Sequence, residues 1–217
     1  VKLPLTGWNI GVKIIEDRIL GLLLLVLFLP VMALVALAIR LDSKGPVLFH
    51  QKRYGYNNRV FEIYKFRSMY HESDAPDKTI QATRDDPRIT RVGGFIRRTS
   101  LDELPQLLNV VFGTMALVGP RPHTVDHNEE YAALIRGYFA RHRVNPGITG
   151  WAQINGLRGE TDTLEKMEAR VRYDTYYAEN WSLIFDLQIL FRTVFVGFTS
   201  ANSTDRCNTS VKYLCRR

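Results

Sequence analysis

The sequence predicts an α+β, mainly helical, monotopic membrane protein with a Pro-broken re-entrant hydrophobic helix, interfacial amphipathic helices and a small β-hairpin. Three observations carry this. Residues 19–39 are 21 consecutive side chains without charge or hydrogen-bonding capacity, an alternating segment follows a Gly-Pro turn, and the second half of the chain repeats apolar residues near helical spacing. With 217 residues, 46% hydrophobic and 24% charged, the chain can bury a real core, which excludes a disulfide-stapled miniprotein and a disordered segment. A mean hydropathy of -0.13 excludes a polytopic membrane protein but not membrane contact.

Residues 1–17 are a lead-in, and a chain opening on Val1 is expected to follow an upstream region. Residues 18–40 form the membrane segment. Its apolar run, ILGLLLLVLFLPVMALVALAI, reaches ~31 Å at ~1.5 Å per residue, enough to span a bilayer. Pro30 removes one intrahelical hydrogen bond at its centre and crowds the preceding turn. Lys2, Lys13 and Arg18 precede the run, and Arg40, Lys44, Lys52 and Arg53 follow it. Positive charge on both flanks favours entry and exit on one side, with a spanning helix and a buried core helix as the alternatives.

Residues 41–198 make the polar domain. A short strand follows Gly45-Pro46, a second covers Val60 to Phe66, and the turn-rich Tyr54 to Arg59 joins them as a hairpin. His71 to Arg88 reads as a surface loop. Helices are predicted at Leu101 to Phe112, Thr124 to Arg143 and Asp162 to Asn180. Trp181 to Phe198, rich in aromatic residues and charged only at Asp186 and Arg192, suits a helix in the membrane interface or one in the core. Residues 199–217 form a polar tail, whose Cys207 and Cys215 suggest neither a disulfide framework nor a metal site.

The charge of +7 is local: residues 40–98 hold 13 basic and 7 acidic side chains, which points to an anionic partner, with phosphorylated substrates, lipid headgroups and nucleic acid all fitting by charge alone. Asp102 and Glu103 follow Ser100 at a predicted helix start, where Ser100-x-x-Glu103 also matches a capping box. Arg88, Arg91, Arg97 and Arg98 lie just upstream. Basic groups can hold a diphosphate while one carboxylate attacks phosphorus and the other holds Mg2+, which needs only one or two carboxylates. Lys65 and Arg67 fall on one face of a strand end and can meet one phosphate, or simply charge a solvated edge. Pro120 and Pro122 fix the backbone around Arg121, aiming a rigid guanidinium at phosphate or making a plain turn. Trp151, with Gln153 beyond it, can line a pocket or pack in the core. The five histidines lack the zincin pattern, and Walker A, G-x-G-x-x-G and G-x-S-x-G motifs are absent.

From about Arg18 to Val196 the ordered motifs LDSKGPVLFHQKR, KFRSM, DPRITRVGGFIRRTSLDELPQLLNV, VGPRP, NPGITGWAQINGLRGETDT and YDTYYAENWSLIFDLQILFRT resemble the bacterial sugar transferases, the monotopic polyprenyl-phosphate phosphoglycosyl transferases. The resemblance implies that residues 41–198 are a cytoplasmic catalytic domain at the bacterial inner membrane, with Mg2+ as cofactor. It implies Asp102 as nucleophile on the sugar-linked phosphate of a UDP-sugar, and Asp102 with Glu103 at the metal. Lys65, Arg67, Arg97, Arg121, Pro120 and Pro122 match positions that face phosphates or the nucleotide, and Trp151, Gln153 and Glu160 are the pocket candidates. Undecaprenyl phosphate then receives the hexose phosphate, beginning an exopolysaccharide repeat unit. The stretch GLRGETDT is similar to the glucose-1-phosphate subgroup of colanic-acid or xanthan type, with galactose-1-phosphate or N-acetylhexosamine-1-phosphate as alternatives. The resemblance also implies contact with membrane lipids, allows a homo-oligomer and gives nucleic acid no part. One departure concerns the membrane helix: family members often carry Ser before the proline, where this chain has Leu29. A membrane-anchored module that merely binds anionic lipid is the reading from another class.

Overall fold

A computed structural model describes residues 5–70, 86–157 and 163–199. Its longest element is α1, Trp8–Asp42, which runs without interruption through Pro30. The sequence predicts a break there. What carries the helix across is a stripe of contacts recurring every three or four residues on both sides of the proline. Lys13, Asp17, Gly21, Val35 and Ile39 are buried, Leu24 and Phe28 pack on the main core, and Val31, Met32 and Ala36 pack on a second cluster with Phe66 and Ile96. Pro30 itself lies on the exposed side. That side is apolar throughout: Leu22, Leu23, Val26, Leu27, Leu34 and Leu37 are each between 51% and 68% exposed.

Both ends of α1 are tied to the same body. Near its start, Lys13 pairs with Asp186 at 2.6 Å and Asp17 accepts a hydrogen bond from the Leu117 amide at 2.8 Å. At its end, Asp42 accepts from the Val92 amide at 3.2 Å, while Arg67 donates to the carbonyls of Ser43 and Lys44 at 2.7 and 2.9 Å.

The predicted hairpin is present. Strands β1, Leu48–Tyr54, and β2, Val60–Phe66, pair antiparallel from Leu48↔Phe66 to Tyr54↔Val60. The turn places Asn57 and Asn58 in the left-handed region (φ 51° and 58°), which asparagine tolerates better than most residues. Helix α2, Arg91–Thr99, occupies the basic stretch that shows no helical signal in sequence because Gly93 and Gly94 dilute it. Thr90 caps it, its Oγ1 accepting from the Gly93 amide at 2.9 Å. Gly93 is required by close approach: a Cβ there would stand 1.9 Å from the Ser68 carbonyl oxygen.

The single helix predicted over residues 101–112 is two pieces, a 3-10 turn at Leu101–Glu103 and α3, Gln106–Phe112, with Pro105 at the start of α3. The helix predicted over 124–143 also divides. It becomes α4, Val125–Leu134, and a 3-10 segment, Tyr138–Arg143, separated by Gly137 at φ 81°. Strands β3, Ala116–Val118, and β4, Gly147–Thr149, form a parallel pair, followed by α5, Trp151–Ile154, α6, Leu164–Glu179, and α7, Leu183–Thr199. The main core gathers Val110, Met115, Leu117, Val118, Tyr177 and Ile189 between α1, α3, β3 and α7.

The two faces of α7 differ: one packs in the core, as the core reading expects, and the other is exposed and apolar. Ile189 and Asp186 are fully buried, whereas Ile184, Phe191, Val194 and Phe195 are at least 57% exposed. The 199–217 tail with Cys207 and Cys215, and most of the 71–88 loop, lie outside the described residues.

Candidate active site

The two acidic residues of the Leu101–Glu103 turn sit where three elements converge. Helix α2 ends at Ser100, which adopts φ 59° and ψ 18°, a left-handed conformation that costs a non-glycine residue about 1 kcal/mol or more. The Ser100 hydroxyl half of the expected capping box is not made: Ser100 forms no side-chain cap hydrogen bond to this turn, and the Glu103 amide donates to the Ser100 carbonyl at 3.2 Å. The Glu103 side chain turns inward. Arg121 grips it with both nitrogens, NH2 to Oε1 at 2.5 Å and NH1 to Oε2 at 3.2 Å, and Lys65 Nζ reaches Oε1 at 3.2 Å.

Asn109 positions Lys65. Buried in α3, it accepts from the Tyr64 amide at 3.0 Å and donates to the Glu62 carbonyl at 2.7 Å, so β2 is held against the helix that follows Glu103. Arg121 is positioned by its backbone. Gly119 lets β3 pass close to the chain before β4, since a Cβ there would lie 2.3 Å from the Asn145 carbonyl oxygen. The Pro120 carbonyl accepts from the Gly147 amide at 2.9 Å and the Arg121 carbonyl from Arg141 at 2.6 Å. Behind this loop, Arg141 pairs with Asp174 at 2.8 Å and contacts Tyr138 and His123, and Arg170 reaches His123 Nε2 at 3.2 Å. Burial and the surrounding guanidinium groups hold His123 far below its ordinary pKa, so it is neutral.

Asp102 differs from its neighbour. It is half-buried and forms no ion pair among the described residues. Desolvation and the adjacent Glu103 raise its pKa, against the pull of Lys65, Arg121 and Arg97. Glu103 raises the pKa of Arg121, while burial lowers that of Lys65. No third His, Cys, Asp or Glu joins the two acids into a metal cage among the described residues. Two adjacent carboxylates in a cationic surround still match the donor set of Mg2+ that completes its shell with substrate phosphates.

Lys65, Asp102, Glu103, Arg121 and, through its field at Asp102, the exposed Arg97 are thus brought together. Arg67 points elsewhere, its guanidinium bound to Ser43 and Lys44. Pro122 is half-buried, and its carbonyl accepts from Arg53 at 3.3 Å. Trp151 packs among Tyr173, Tyr176 and Phe185, with the Arg192 guanidinium 5.6 Å from its ring centre. Gln153 is buried and donates to the Ile148 carbonyl at 3.1 Å. Glu160 lies outside the described residues. The sequence alone does not mark Arg53 and Arg141 as site residues. Their single legible signal is an arginine in or beside a predicted element, which is common to many surface positions.

Several curated proteins similar to the chain are named as transferring a sugar phosphate to undecaprenyl phosphate. It is 57% identical over 198 residues, 91% of the chain and 42% of the relative, to the UDP-glucose:undecaprenyl-phosphate glucose-1-phosphate transferase of Escherichia coli (strain K12). The protein of the same description from Caulobacter vibrioides is 49% identical over 88% of the chain and 71% of its own length. A UDP-N-acetylgalactosamine-undecaprenyl-phosphate N-acetylgalactosaminephosphotransferase of Aeromonas hydrophila is 41% identical over 84% of the chain and 43% of its own length. The chain therefore spans about two fifths of some of these relatives. With the bacterial sugar transferase profile matching residues 8–200, the chain belongs to the bacterial sugar transferase family.

Proposed function

We propose that the chain transfers glucose-1-phosphate from UDP-glucose to undecaprenyl phosphate through a covalent intermediate on Asp102. The observation that carries this is a half-buried Asp102 with no ion-pair partner among the described residues, beside a Glu103 clamped by two cations, in a chain close in sequence to glucose-1-phosphate transferases. A carboxylate already paired is a poor nucleophile, and Asp102 is the unpaired one. Its oxygen attacks the sugar-linked phosphorus, a P–O bond forms, and the bond to the bridging oxygen breaks as UMP leaves with the electron pair. The acyl phosphate is then attacked by an oxygen of undecaprenyl phosphate, which frees the Asp102 carboxylate. Arg121, Lys65 and Arg97 offset charge on the diphosphate, and Glu103 holds Arg121 and Lys65 in place. Asp102 and Glu103 would hold Mg2+, which when bound neutralises phosphate charge.

The membrane part of the reading is supported by the apolar outer faces of α1 and α7 and by the polar ties at both ends of α1. With both ends tied to one body, α1 keeps both of its ends on one side of the bilayer, which we read as the cytoplasmic side, and its outer leucines meet the lipid of the inner membrane. The Aeromonas hydrophila relative favours a second reading in which an N-acetylhexosamine-1-phosphate is transferred.

Membrane-reconstituted protein with Mg2+ tests these readings when given UDP-glucose, UDP-galactose or UDP-N-acetylgalactosamine separately. The expected result is UMP and a hexose-phosphate mass on the Asp102 peptide from UDP-glucose before acceptor is added. The same adduct from the N-acetylated donor alone selects the second reading. No adduct and no UMP from any donor, even with undecaprenyl phosphate present, leaves the lipid-binding module.

A further inference from the structure

We propose that Arg53 is a second guanidinium for the diphosphate of the nucleotide sugar, a binding residue standing beside Arg121. The inference rests on the nucleotide-sugar reading above. In the β1–β2 register Phe49↔Lys65, Gln51↔Ile63 and Arg53↔Phe61 are partners, so Arg53 and Gln51 project from the same face of the hairpin as Lys65. Lys65 already reaches Glu103 on that face. The Arg53 side chain is also close enough to Arg121 and Glu103 for their charges to act on it: Arg121 pushes its pKa down and Glu103 pushes it up. Burial contributes most, and the value, about 10, leaves the group charged at neutral pH.

Unlike Arg121 and Lys65, Arg53 has no carboxylate partner among the described residues. Its contacts are two uncharged oxygens, Gln51 Oε1 at 2.5 Å and the Pro122 carbonyl at 3.3 Å, and its Nε is buried without a partner. A bridge between Arg53 and Thr124 fixes the strand to the segment after Pro122. Two neighbouring guanidinium groups repel each other, and holding one unneutralised in a partly buried place is unfavourable until an anion arrives. Counting charges, Lys65, Arg53, Arg97 and Arg121 face Asp102 and Glu103. Gln51 and Pro122 hold the guanidinium plane in advance, so little entropy is lost when a phosphate binds.

The test compares wild type, Arg53→Gln and Arg53→Lys as the full chain in lipid nanodiscs, measuring KM and kcat for UDP-glucose and the Kd of UDP by calorimetry at two salt concentrations. Loss of charge-assisted hydrogen bonds to phosphate predicts that R53Q raises KM and Kd about 10- to 100-fold with kcat changed less than about threefold, and weakens the salt dependence of Kd. R53K should recover part of the affinity because it restores charge without the fork. Unchanged UDP affinity in R53Q, accompanied by a lower unfolding temperature, would overturn the proposal and leave Arg53 as a staple for the Pro122 loop. If wild type binds UDP and releases UMP, that failure touches Arg53 alone; if wild type does neither, the nucleotide-sugar reading falls and Arg53 with it.

Discussion

Asp186 and Asp102 are both withdrawn from water, and the protein treats them in opposite ways. Asp186 is fully buried and receives Lys13 at 2.6 Å, the Tyr177 hydroxyl at 2.8 Å and the Trp181 indole N–H at 2.9 Å. Those partners come from α1, α6 and the segment before α7, and Tyr177 also donates to the Val118 carbonyl, so the carboxylate is a junction between helices and β3. Asp102 sits among more positive than negative groups, forms no ion pair among the described residues, and has its pKa pushed up. A buried charge with all its donors in place holds a fold together, while one left partly unmet is available for chemistry.

The sharpest way to break this contrast is Asp102→Asn. It should lower UMP release from UDP-glucose by about 10^3-fold or more, as expected for loss of a nucleophile. Because the folded protein raises the pKa of Asp102, the folded state binds its proton more tightly than the unfolded chain. Ionising Asp102 at neutral pH therefore costs stability, and the cost disappears only as pH falls through the raised pKa and then the ordinary one. D102N should thus unfold at the same temperature as wild type or a higher one. A marked drop would mean that Asp102 is structural after all.

Asp186→Asn should do the reverse. Removing the Asp186 charge leaves Lys13 with Asp17, 3.0 Å away, as its carboxylate partner and weakens three buried hydrogen bonds at once, which costs about 1–3 kcal/mol, read as a fall in the denaturation midpoint. Adding Lys13→Met should deepen the loss, since the buried Asp17 then loses its own cationic partner. If D186N is as stable as wild type, the junction is not what joins α1 to α7.

A smaller effect concerns the histidines. His142 contacts Asn58, and burial followed by the nearby Arg141 brings its pKa to about 4, below the ordinary 6.5. His123 is depressed as well. Both are neutral when folded and, below about pH 6.5, gain protons on unfolding, so their contribution to stability is complete above about pH 6.5; that of His142 is lost as pH falls toward about 4, and that of His123 declines in the same direction. Unfolding midpoints measured across that range should decline with acid, and His142→Asn should flatten the decline. Equal slopes in both proteins would show that other groups dominate.

Much of the fold is legible before any coordinates. The apolar run of α1, the β1–β2 alternation and α6 are local patterns, in which each residue's neighbours along the chain already carry the signal. Asp102-Glu103, Lys65 and Arg121 are legible too, because charge is conspicuous next to glycine and proline. Helix α2 was hidden by Gly93 and Gly94, whose reason is a close contact with Ser68 that propensity does not record.

By itself, then, the sequence determined the apolar run of α1, the hairpin, the acidic pair and its basic surround, since each depends on spacing within a few residues. Tertiary structure decided how those parts are used. Ser100 takes the left-handed region without making its side-chain cap, and Glu103 turns toward Arg121, 18 residues later. Arg67 is committed to the end of α1, 24 residues earlier, whereas Arg53 stands by Pro122, 69 residues later. Lys13 finds Asp186 across 173 residues. Whether a charged side chain serves folding or chemistry depends on which partners arrive in space, and partners so distant in the chain leave no periodic trace in it.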